Sequence, residues 1–141
     1  MVFCSVGAIS PKNIVSLFEK HFSREEPGHG AKRKRVDYIY TPVSTEKQMD
    51  TFQNHCIIGN IAYDLHNSRR MGLFMLNNIL GGQGMNSRLN LSLREKRGYA
   101  YNVESMYNPY TDTGLVTIYF GTDNRNLVKS ISLTHAELER L

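Results

Sequence analysis

No apolar run in this chain is long enough to cross a membrane. The longest, around Met71 to Leu80, is interrupted by Asn and Gly and falls well short of the roughly 20 residues a spanning helix needs. The N-terminal Met-Val-Phe-Cys-Ser-Val-Gly lacks a basic region before its apolar run and a small-residue cleavage pattern after it. It therefore does not read as a signal peptide, which favours the cytoplasm. Cysteine is scarce: Cys4 and Cys56 lie far apart inside apolar runs, where a free thiol packs as a small hydrophobe, and neither fixes the compartment.

Metal-ligand spacing is missing too. The five histidines, His21, His29, His55, His66 and His135, include no His-x-x-x-His and no His-x-x-Glu-His pair. A zinc site needs two or three ligands brought to one point, often one helical turn apart, so no metal is expected in this chain. His55 falls within a strand pattern and reads as a strand-face histidine satisfied by a neighbour. No Gly-x-Ser-x-Gly elbow accompanies the serines, and Gly81-Gly82-Gln83-Gly84 lacks the Gly-Lys-Ser/Thr ending of a phosphate loop and follows a helix instead of a strand. A helix-to-helix turn is the expectation there.

Charge is modestly positive at +4, with its densest run at Lys32-Arg33-Lys34-Arg35. The run follows Pro27-Gly28-His29-Gly30 and carries no aromatic interleaving, so it is expected to be a solvated linker with no nucleic-acid or membrane role.

At 141 residues and 40% hydrophobic content, the chain can build one ordinary domain, or a domain plus part of another. Val2 to Val6 read as a strand ending at Gly7. A helix follows, with Ser10 as N-cap, Pro11 at the first helical position, and Ile14, Leu17, Phe18 and Phe22 on one face. Residues 23–35 are charged and rich in Pro and Gly, which marks a linker. Strands are expected at Val36–Tyr40 and Gln48–Ala62. A helix over Ser68–Leu80 presents Met71, Phe74, Met75, Leu76, Ile79 and Leu80 and stops at Gly81-Gly82. A second helix over Ser87–Arg97 carries Leu89 and Leu93 and ends at Gly98. Ala100–Tyr107 and Leu115–Gly121 form a hairpin, and a last helix starts near Asp123 or Asn124. This order implies an α+β layer sandwich, with helices on one face of a mostly antiparallel sheet.

One stretch carries candidate chemistry, Leu93-Arg94-Glu95-Lys96-Arg97-Gly98-Tyr99-Ala100-Tyr101. An arginine on a helix, then a glycine break, then tyrosine at the start of a strand lets both side chains reach one edge. Forked guanidinium donors and a phenol can grip a peptide carbonyl or support a developing oxyanion. On spacing alone, Arg94 reads as a surface residue.

The run Leu80-Gly81-Gly82-Gln83-Gly84-Met85-Asn86-Ser87-Arg88-Leu89, followed by Leu93 to Tyr101, is similar to the signature in the second domain of pitrilysin/insulinase-type zinc peptidases and mitochondrial processing peptidases. Asp112-Thr113-Gly114-Leu115, Ile118-Tyr119 and Gly121-Thr122 match the segment after it, and Gln53 to Gly59 match the first long strand. Val2 to Phe22 resembles the end of the preceding domain. The resemblance implies three parts: residues 1–22 closing a preceding domain, 23–35 a linker, and 36–141 a metal-free second domain, incomplete at its C-terminal end.

In that family two similar domains enclose a chamber, and the metal-free one lends an Arg and a Tyr seven residues later to substrate beside the zinc. By this resemblance Arg94 and Tyr101 are substrate-binding residues, and the chain alone is inactive. Zinc and the His-x-x-Glu-His motif would belong to the parent protein, a zinc endopeptidase. The implied partners are a peptide substrate and the upstream metal-binding domain or a partner subunit. An incomplete sheet would also favour a homo-oligomer of this chain. The alternative is a non-catalytic partner or core subunit of a processing-peptidase-like assembly. Tyr99 stands where the family often has Leu.

Overall fold

A computed structural model describes residues 4–22 and 39–141. The chain divides into two compact units, Met1–Asp37 and Tyr38–Leu141.

In the first unit, helix α1 spans Pro11–Phe22. Ser10 opens it as expected: its Oγ accepts the Asn13 N–H at 3.4 Å, and its carbonyl accepts those of Asn13 and Ile14. Ile14 and Phe18 are half-buried, while Leu17 and Phe22 are exposed. Phe18 stacks on Phe22 with ring centroids 5.1 Å apart. The strand expected over Val2–Val6 is not borne out at Cys4–Val6, and Val2 and Phe3 lie outside the described residues. No ladder pairs this segment among the described residues, and Cys4 is exposed instead of buried. The linker and Val36 to Tyr38 also fall outside the described residues, while Ile39 and Tyr40 form no strand.

The second unit is built on three antiparallel strands, β1 (Asn54–Ala62), β2 (Ala100–Pro109) and β3 (Gly114–Thr122), in the order β1-β3-β2. β1 is shorter than the Gln48–Ala62 expected. Its first residue, Asn54, pairs with Thr122, the last of β3, so residues before Asn54 have no ladder partner. The β2–β3 hairpin forms where expected and closes with the Tyr110 N–H donating to the Thr113 carbonyl at 2.8 Å.

Helix α2 (Arg70–Gly81) lies against β2. It buries Asn77, Leu80 and Gly81, whereas Met71, Phe74, Met75, Leu76 and Ile79 are exposed, so of the expected apolar face only Leu80 is inside. A polar contact displaces the apolar stripe: Asn77 Nδ2 donates to the Ser105 carbonyl at 2.9 Å, and the Ser105 hydroxyl donates back to Asn77 Oδ1. Such a pair must be fully satisfied to be buried, and it fixes which side of α2 meets the sheet. Gly81 tightens that approach, since a Cβ there would lie 2.7 Å from Ser105 Cβ.

A helical segment over residues 88–95 widens to a π-helix at Asn90–Glu95, and α3 (Leu127–Glu139) follows a 3₁₀ turn at Asn124–Asn126. Leu80, Leu89, Leu93, Ala100, Val103, Ile118 and Phe120 form the core, with Cys56, Ile58, Leu127, Ile131 and Leu133 packed around it. The architecture of this unit is α+β, with its helices on one sheet face. Among the described residues, no helix is long and apolar enough to cross a membrane.

Candidate functional site

The two sequence-selected residues flank a chain reversal that the backbone specifies closely. Asn90 holds the start of the helical segment, donating to Ser87 Oγ at 2.8 Å and to the Gly84 and Val103 carbonyls at 3.5 and 3.4 Å. The glycine-rich stretch before it is therefore a helix-to-helix turn. At the other end the Lys96 N–H reaches back five residues to the Leu91 carbonyl, the π spacing. Gly98 sits at φ +60°, the left-handed region that glycine enters without steric cost. It donates to the Arg94 carbonyl at 2.8 Å, and Tyr99 donates to Leu93 at 2.8 Å, so the last helical carbonyls are capped.

Arg94 stands on the final turn of this segment, with its side chain 48% exposed and Nε 3.7 Å from Glu95. That contact is a weak exposed pair, leaving the guanidinium free to bind elsewhere. Tyr99 turns its carbonyl to Thr122 Oγ1 at 2.5 Å, which ties the exit of the helix to the end of β3. Lys129 Nζ lies 5.7 Å from the Tyr99 ring centroid, so the aromatic at this position carries a cation over its face.

Tyr101 is the extra residue of a β-bulge. Ala100 pairs with Thr122 and Asn102 with Gly121, so Tyr101 has no register partner and is 56% exposed. A bulge re-aims a side chain without breaking the sheet. The Tyr101 hydroxyl donates to Asp123, 3.2 and 3.3 Å from its two carboxylate oxygens, and Arg125 lies 3.7 Å from the same carboxylate. Arg94 thus stands on the turn that leads into β2 and Tyr101 near the start of that strand, each with a separate partner and no hydrogen bond joining them.

The same end carries further polar groups. Asn54 Nδ2 donates to Asn124 Oδ1 at 3.3 Å, and His55 Nδ1 shares a 2.8 Å hydrogen bond with the Tyr119 hydroxyl, the rings nearly parallel. His55 is the satisfied strand-face histidine its position predicts. Cys56 packs against the core, where burial pushes its thiol above the ordinary value of 9.0 and makes it a poor nucleophile.

The sequence marks Asp123 only as a helix start; its role as the partner of Tyr101, 22 residues away, needs the strand register that brings them together. A clue lay in its position, just past the end of a strand whose partner begins near Tyr101.

Among the described residues, no three His, Cys, Asp or Glu side chains gather closely enough to hold a metal ion.

The family described as "Peptidase M16 inactive domain" matches residues 1–141. The chain belongs to this peptidase M16 family, as its inactive-domain part. It is 35% identical to a protein named as the uncharacterized zinc protease YmxG of Bacillus subtilis, over 99% of this chain and 34% of that protein. An uncharacterized zinc protease of Rickettsia bellii is 31% identical over 96% of this chain and 32% of its own length. The chain therefore spans about a third of these relatives. Among solved structures, the peptidase M16 inactive domain from Pseudomonas fluorescens aligns with a TM-score of 0.61 at 26% identity, covering 64% of this chain and 22% of that one. A protease from Helicobacter pylori shares the fold, with a TM-score of 0.53 at 18% identity over 96% of this chain and 37% of its own.

Proposed function

We propose that this chain is the substrate-supporting part of a zinc endopeptidase whose metal motif lies in another part of the longer protein. Residues 1–22 close the preceding domain, 23–35 link, and 36–141 form the metal-free domain. The observation that carries the reading is the bulge at Tyr101. It presents a phenol at the sheet end, seven residues after an arginine whose guanidinium has only a weak local contact.

In this role Arg94 grips a substrate carbonyl through its forked donors, and the Tyr101 hydroxyl donates to the oxygen that gains charge as the peptide carbon becomes tetrahedral. A phenol has one proton. Donation to substrate requires Tyr101 to exchange its bond to Asp123, and the exposed phenol beside a half-buried carboxylate leaves room for that exchange. The relatives named zinc proteases favour this reading over a non-catalytic subunit.

The test is peptide cleavage by the longer protein carrying Arg94→Ala or Tyr101→Phe. Removing one donor to a developing oxyanion costs about 10²–10³-fold in rate, whereas losing an exposed side chain costs at most about 0.5 kcal/mol of stability. The expected result is a large loss of kcat/KM with zinc content and melting temperature unchanged. Activity within about twofold of wild type in both variants would overturn the assignment, since a true oxyanion donor is worth far more.

A further inference from the structure

A cleft of about 260 Å³ opens between the π-helix and α3, lined by Arg88, Leu91, Ser92, Lys96, Arg97, Glu137 and Arg140. It carries four cationic side chains against one carboxylate. The carboxylate is already consumed: Arg88 Nε and its second amino nitrogen lie 3.0 and 2.9 Å from Glu137 Oε2, while the remaining Arg88 nitrogen donates to the Arg140 carbonyl at 3.1 Å. Arg140 itself stays 3.9 Å from Glu137 Oε1.

The other cations keep donors in hand. Arg97 is anchored through one nitrogen to the carbonyl and hydroxyl of buried Ser92, at 2.9 and 3.3 Å. Among the described residues that leaves its Nε–H and its second amino group unspent, in a guanidinium anchored by Ser92. Lys96, next to it, has no hydrogen-bond or ion-pair partner for its ammonium among the described residues. A preorganised fork beside a free ammonium matches oxyanions, and ordering the arginine before binding lowers the entropic cost of capture.

We propose that this cleft binds an acidic peptide segment through its Glu or Asp carboxylates. A bare inorganic anion, comparable to a water molecule's ~30 Å³ or a few times that, would fill only part of the space. The apolar side chain of Leu91 in the lining offers packing for the stem of a carboxylate side chain, which phosphate lacks. The proposal is independent of Arg94 and Tyr101 and of whether the longer protein cleaves peptides.

The test is fluorescence anisotropy on the whole chain with a labelled peptide of alternating Glu and Ala, beside its Gln-for-Glu isostere. The acidic peptide is expected to bind, and the isostere about tenfold or more weakly, because charge-assisted bonds are roughly twice as strong as neutral ones. Lys96→Gln removes a charge without removing any protein contact. It is expected to weaken the acidic peptide several-fold, while a melt confirms that the fold is intact. Replacing Lys32 to Arg35 with Ser is expected to leave binding unchanged, which separates the cleft from the basic run. Backbone amide shifts are expected at residues 88–97 and 137–140.

Equal affinity for the isostere would overturn the proposal. So would indifference to Lys96→Gln, loss of binding when Lys32 to Arg35 are replaced, or inorganic phosphate binding these residues as tightly as the peptide.

Discussion

The two faces of the sheet differ in what their side chains meet. On the face under the helices, Val103, Ile118 and Phe120 are 3%, 2% and 0% exposed. On the other, Ile57 and Met106 are 70% and 45% exposed, and His55 stacks with Tyr119 in the open. Strands with alternating side chains can bury one face and leave the other to solvent. The buried face holds the fold together, and the bulge at its end turns Tyr101 outward. Stability and the proposed substrate contact thereby fall to different side chains of the same strands.

Substitutions that sharpen or break this contrast follow in order of size. Phe120→Ala empties the centre of the core and is expected to cost about 3–5 kcal/mol, read as a large fall in the urea midpoint. A loss below about 1 kcal/mol would mean that the face is not the stabilising one, because fully buried aromatics are worth several times that. Gly81→Val forces a side chain into the 2.7 Å gap to Ser105 and is expected to cost about 1–3 kcal/mol through overpacking. An unchanged midpoint there would show that α2 does not press on β2 as described. Ile57→Ala on the open face is expected to change stability by no more than about 0.5 kcal/mol. A cost near that of Phe120→Ala would erase the distinction between the faces.

Legibility from sequence was highest where local chemistry decides conformation. Ser10-Pro11 marks the start of α1, Gly98 the left-handed exit from the π-helix, and the strand patterns over Ala100–Tyr107 and Leu115–Gly121 the hairpin. The helices-on-one-face class followed from the order of elements. What failed depended on partners far along the chain. The apolar periodicity of α2 pointed to Phe74 and Ile79, but a hydrogen-bonded Asn77–Ser105 pair, 28 residues apart, set the buried side. The length of β1 was limited by where β3 ends, which no local pattern encodes. At the candidate site, Arg94 and Tyr101 are legible through a family signature, whereas the Asp123 contact and the bulge that frees Tyr101 depend on the strand register, and the cleft beside Arg97 on how α3 packs. Cys4 looked like a core residue because its neighbours are apolar, yet it is exposed.

The division of labour proposed between this chain and a metal-binding half of the longer protein has one direct test. The purified chain, the upstream metal-binding half and their mixture are assayed side by side on a fluorogenic peptide, with zinc counted by mass spectrometry. The account predicts no cleavage and no tightly held zinc in this chain, and cleavage by the mixture that Tyr101→Phe in this chain reduces. Cleavage by this chain alone, with one zinc bound per molecule, would contradict it.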